Sequence, residues 1–71
     1  MNKKFNILDI IALLTDIPEK KLIKGQVGTI VEYLDIGMYE VEFCNKQGET
    51  ITVLPINENS MLLLHYENKV A

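Results

Sequence analysis

The chain has 71 residues, of which 48% are hydrophobic, and a formal net charge of −3. One core is all it can hold, and a chain this short buries about 60% of the surface its unfolded form exposes. Its apolar share excludes a chain disordered throughout, the lack of an apolar run of about 18 residues excludes a membrane-spanning helix, and the acid excess argues against a nucleic-acid backbone as the main partner.

The start, Met1-Asn2-Lys3-Lys4, carries the charge of a signal-peptide leader, and Ile10 to Leu14 is apolar. Asp9 and Asp16 make that run too short and too charged for a leader, and no small-residue cleavage site follows it. The expected location is therefore the cytoplasm. Cys44 is the single cysteine and His65 the single histidine, so neither an internal disulfide, a ligand-spaced metal site nor a nucleophile triad can be assembled. Within its apolar alternation Cys44 reads as a small hydrophobe. No catalytic residue and no cofactor is expected.

Phe5 to Ile17, FNILDIIALLTDI, is the first element. Ile7, Ile10, Ile11 and Leu14 fall at helical spacing, with Asn6 and Asp9 resembling a helix start. Three isoleucines, and a run ended early by Thr15-Asp16-Ile17-Pro18, favour extended backbone instead. The pattern alone leaves both open; the rest of the chain favours a strand with Ile11 and Leu13 inward and Ile10 and Ala12 on the other face.

Thr15 to Lys24 reads as a long surface loop, because Pro18 removes a donor and Glu19, Lys20, Lys21 and Lys24 hold the backbone in water. Ile17 and Leu22 are its two apolar pegs, available to cap the core or to meet a partner. Gly25 and Gly28 follow, three apart, where a side chain would obstruct a tight turn or the close approach of a crossing strand. Gly28 runs into the β-branched Thr29-Ile30-Val31, which a phosphate-binding loop opening a helix would not do. Strict alternation from Val27 puts Val27, Thr29, Val31 and Tyr33 on one face and Gly28, Ile30 and Glu32 on the other, with Glu32 marking the outside.

Asp35-Ile36-Gly37 supplies a hairpin reversal. In the next strand Tyr39, Val41 and Phe43 point one way and Met38, Glu40, Glu42 and Cys44 the other. Paired glutamates invite a catalytic reading, but acid and base carboxylates need different environments, one of them desolvated. Glu40 and Glu42 are more simply the wet side of a sheet that also carries Glu32. Asn45-Lys46-Gln47-Gly48 is a second hairpin turn, followed by a fourth strand, Glu49 to Leu54, with Ile51 and Val53 inward and Thr50 and Thr52 outward. Pro55 is expected to stop the ladder. Ile56 to Ser60 then makes a single turn of 3₁₀ type, and Met61 to His65 a last short strand, apolar on both faces as expected of a strand buried on one side and covered by a loop on the other.

Strand, long loop, strand, hairpin, strand, hairpin, strand, one helical turn, strand is the order of an SH3-like barrel. The expected class is all-β, a small five-stranded SH3-like barrel over residues 5–65, with residues 1–4 and 66–71 as flexible ends. Leu8 to Leu14, Asp16-Ile17-Pro18, Gly25 to Glu32 and Tyr39-Glu40-Val41-Glu42-Phe43 together resemble the short bacterial proteins grouped as domain of unknown function 4926. That likeness spans roughly residues 5 to 64, implies the strand reading of residues 8–14 and an SH3-like fold, and brings no activity. Gly25-x-x-Gly28-x-Ile30-Val31 is a looser likeness to the KOW motif of ribosomal and transcription-factor domains, where RNA binding calls for a basic face. The chain offers Lys20, Lys21 and Lys24 in one loop and Lys3 and Lys4 at one end, a small count against ten carboxylates.

The expected function is a non-enzymatic protein-binding module, an antitoxin or immunity-type partner of a separately encoded basic protein being its specific form. A KOW-like nucleic-acid-associated domain and a module self-associating through an edge strand are the alternatives. Candidate partner-binding residues are Ile17, Leu22, Ile30, Glu32, Met38, Glu40 and Glu42.

Overall fold

A computed structural model describes residues 4–65, so residues 1–3 of the expected flexible start and the expected tail at 66–71 lie outside the described residues. The chain is all-β: β1 (Ile10–Leu13), β2 (Val27–Asp35), β3 (Met38–Cys44), β4 (Thr50–Asn57) and β5 (Met61–Leu63) form one antiparallel sheet in the order β4-β3-β2-β1-β5. Two 3₁₀ turns, Pro18–Lys20 and Glu58–Ser60, lie before β2 and before β5. Five strands and a 3₁₀ turn ahead of the last one are the elements expected from sequence, in the expected order. The strand reading of the first element holds, with Ile11 and Leu13 buried.

A covalent constraint bends this sheet. β4 and β5 lie at opposite ends of the strand order, yet only Glu58–Ser60 separates Asn57 from Met61. Strands at opposite ends of a flat five-stranded sheet stand about 19 Å apart, whereas four residue steps reach about 14 Å fully extended and about 8 Å as 3₁₀ turn. The sheet must curl until its two ends approach. Inside the curl lies one core cluster, drawn from every strand, with Phe5 and Leu22 added from outside the sheet.

Closure at the two ends comes from the connections. The first loop is pinched shut where the backbone N–H groups of Ile17 and Leu22 each donate to the other's carbonyl, at 2.9 and 3.1 Å. Leu22 is thereby driven into the core and Ile17 packs against it. At the N-terminal end the buried Tyr39 hydroxyl accepts the backbone N–H of Lys4 at 3.1 Å and of Phe5 at 3.2 Å. The Phe5 ring stands edge-on to Tyr39, centroids 5.4 Å apart, and Tyr33 does so at 5.5 Å.

Three expectations are corrected. In β2 the faces are exchanged: Gly28 and Ile30 are buried and Val27 is exposed. Register decides this, because Gly28 pairs with both Ile11 and Phe43, and Ile30 with Val41, all of which face inward. A register shift between Ile30 and Glu32 then resets the alternation, so that Glu32 is outside and Tyr33 packs on the core. In β4 the strand runs through Pro55 to Asn57, and its inner residues are Thr52, Leu54 and Ile56, opposite Phe43, Val41 and Tyr39. Ile51 and Val53 are exposed. Proline is tolerated because β4 is an edge strand, where a missing N–H costs no ladder bond on the outer side. Finally β5 ends at Leu63, and Leu62, rather than lying under a loop, is exposed.

Gly28 is where the inner face is tightest. A Cβ there would lie 2.7 Å from Val41 Cγ1 and 2.8 Å from Phe43 Cε1, both on fully buried side chains. Overpacking of this kind costs about 1–3 kcal/mol. The Gly28→Ala variant should therefore be less stable by that amount in urea unfolding, with a lower midpoint, and an unchanged midpoint would contradict the packing described.

Candidate functional site: the outer sheet face

Register pairs residues on one face, so the outer surface can be read row by row. Ile10, Thr29, Glu42 and Val53 follow one another across β1, β2, β3 and β4. One row to the side, Glu32, Glu40 and Pro55 cross β2, β3 and β4. To the other side Leu62, Ala12 and Val27 cross β5, β1 and β2. The face is thus of two kinds. Its β2–β3 part carries three carboxylates, and its β1–β5 part is apolar, with Val27 49% and Leu62 53% exposed.

Glu32 and Glu40 are direct cross-strand partners, and Glu42 follows Glu40 two residues along the same face. Like charges directly opposite in an antiparallel pair are destabilising, by roughly 0.2–1 kcal/mol. The register neighbours of the three are one another, Thr29, Val53 and Pro55, none of them a cation. Glu42 is anchored by the Thr50 hydroxyl, which donates to its Oε2. Glu40 and Glu42 are half-buried and Glu32 is exposed, so none of the three is sealed from solvent.

Of the residues proposed from sequence, Glu32, Glu40 and Glu42 are brought together, and Met38 lies beyond Glu40, paired with Asp35 and Asn57. Ile30 is fully buried, which removes it from any contact surface; the exchange of faces in β2 is the reason. Leu22 is buried as well, and Ile17 is half-buried against the core, so the two pegs of the first loop hold the fold shut. Cys44, read as a small hydrophobe, is exposed at the end of β3. Val27 and Val53, which alternation places inward, and Leu62, expected beneath a covering loop, are instead exposed on this outer face. The available signal was Gly28, whose lack of a side chain suits the crowded inside better than the outside. Exposed Lys20, Lys21 and Lys24 remain in the first loop, where the Asp16 carboxylate accepts the Lys24 backbone N–H at 2.7 Å.

The five antiparallel strands, curled into one sheet around a single core cluster, define a small all-β domain. The chain belongs to the family described as Domain of unknown function (DUF4926), whose family model matches residues 7–63. No curated protein matches it, and no solved structure does.

Salt screens repulsion between exposed charges, the Debye length falling from about 10 Å at 0.1 M to about 3 Å at 1 M. With the glutamates as placed here, raising sodium chloride across that range should raise the urea midpoint, by an amount equivalent to up to about 1 kcal/mol. A midpoint that falls would show that attraction, not repulsion, dominates among the surface charges.

Proposed function

We propose that this protein is a non-enzymatic protein-binding module acting in the cytoplasm, and that its outer sheet face receives a basic, separately encoded protein. The observation that carries the reading is the Glu32–Glu40 pair, two like charges set opposite one another on an open face with Glu42 beside them. Such a pair works against the fold. A cationic partner turns that repulsion into attraction, and electrostatic complementarity of this kind speeds and selects association. The SH3-like reading is supported by the strand order and the curl. In its specific form the module is an antitoxin or immunity-type protein that masks a basic toxin, a form motivated by small size, acidity and an open face.

The other readings have less support. Carboxylates serving as general acid and base need environments that separate their proton affinities, and here they share one open surface. Phosphate backbones would meet this face with like charge. Self-association through an edge is opposed by Pro55 in β4 and by the three-residue length of β5. The lysines of the first loop are what favours the nucleic-acid alternative.

Purification of the tagged chain from its own cells discriminates these readings. The expected result is one basic protein recovered in stoichiometric amount, lost when Glu40 and Glu42 are both changed to Lys, and released at about 0.5 M salt, where screening is strong. Recovery of nucleic acid that disappears with Lys20→Glu, Lys21→Glu and Lys24→Glu, while the glutamate variants have no effect, would overturn the proposal.

A further inference from the structure

The curled sheet is closed along only part of its length. β4 and β5 stand at the two ends of the strand order and do not pair with one another among the described residues. β4 is eight residues long and β5 three, so β5 cannot run beside the whole of β4. Burial shows the consequence. Phe43 and Val41 on β3 are fully buried, whereas Thr52 and Leu54, their inward-facing register partners on β4, are only half-buried. Further along, Ile56 is buried again, next to the connection that ties β4 to β5. The interior is therefore open to solvent beside the first part of β4.

The backbone is open at the same place. Among the described residues no strand pairs with the outer edge of β4. Pro55 turns outward the side on which it has no N–H to give, and strand alternation turns the N–H and carbonyl of Val53 the same way. Native sheets blunt their uncovered edges with charge, with proline or by keeping the strand short. Thr50-Ile51-Thr52-Val53-Leu54 carries no charge and no proline, belongs to a strand of eight residues, and is β-branched at every position but the last. Ile51 and Val53 stand 48% and 44% exposed.

Only another extended backbone matches the alternating donors and acceptors of such an edge. A second copy of β4 matches poorly, because two-fold pairing centred on Val53 sets Ile51 against Pro55, which has no N–H. We infer that β4 is a strand-addition site, where an extended segment of a partner protein, apolar at alternate positions, lies along residues 50–54 as a sixth strand. Its backbone exchanges hydrogen bonds with Val53, and its apolar side chains cover Thr52 and Leu54 at the open side of the core. This rests on the protein-binding reading, names the element that the partner brings, and needs none of the glutamates of the outer face.

The probe is an eight-residue peptide of alternating valine and threonine with a lysine at each end, compared with the same peptide N-methylated at every valine and threonine. At about ten times its Kd, the first peptide should slow hydrogen exchange of the Val53 amide at least about tenfold, while the amides of Thr52 and Leu54, turned toward β3, are protected with or without it. The methylated peptide should not bind. Val53→Pro should abolish binding and keep the ladder to β3, since the N–H it removes is on the free side; Val53→Thr should bind like the wild type. Should Val53→Pro fail to fold, exchange at Val53 in the wild-type chain decides alone. No binding of the first peptide, equal binding of the methylated one, or a Val53 amide already protected without peptide, at any protein concentration, would each overturn the inference. In cells, a partner lost with Glu40→Lys and Glu42→Lys but kept with Val53→Pro leaves the module reading standing and removes strand addition. A partner lost with Val53→Pro alone supports strand addition and moves binding off the outer face. Release by neither overturns both.

Discussion

The short connection from Asn57 to Met61 is the constraint on which the architecture depends. It ties the two ends of a five-stranded sheet together through a single 3₁₀ turn, and the sheet has to curl to allow it. A small chain gains from this, because a curled sheet surrounds its own inner face and needs no second layer to cover it. Phe43, Val41 and Tyr39 on β3 fill that interior, Ile56 and Met61 flank the connection, and Leu22 and Phe5 close the remaining openings. Curling also crowds the inside, which is why β2, hydrogen-bonded to strands on both sides, carries near its start a glycine opposite Phe43.

Much of the strand order was legible in the sequence, since turn chemistry at Asp35-Ile36-Gly37 and Asn45-Lys46-Gln47-Gly48 and the alternation of Tyr39, Val41 and Phe43 are local signals. Which face each strand turns inward was legible only for β1 and β3. In β2 and β4 an apolar residue stands at positions of both phases, Val27 and Val31 against Ile30, and Ile51 and Val53 against Leu54 and Ile56. Alternation cannot choose between them; pairing with β3 can, and that is a property of the assembled sheet. Bulges after Ile30 and at Cys44 break the count besides. As β-branched side chains face water in both strands, the outer surface is more apolar than any count of alternating positions suggests.

The carboxylates were found and their arrangement was not. Sequence shows Glu40 and Glu42 on one face of β3, but that Glu32 lies directly across from Glu40 follows from the register shift in β2. A sheet selected for stability alone would place a lysine or threonine at one of these positions, since opposite charges or hydroxyls across a strand pair stabilise it. Local arrangements that oppose folding are where function is most often read in a structure. Two rows from the pair, Val27 and Leu62 leave apolar area in water. Both features are disadvantages for the isolated chain, which the proposed protein-binding role would turn to use.

The central claim is that Glu32 and Glu40, paired across β2 and β3 on the outer face, repel one another. A double-mutant cycle measures this directly, with stability from urea unfolding of the wild type, Glu32→Gln, Glu40→Gln and the double variant at low salt. The account predicts that each single change stabilises the chain and that the second adds less than the first, a coupling that shrinks as salt is raised. Single changes that destabilise it, or a cycle with no coupling at low salt, would contradict the account.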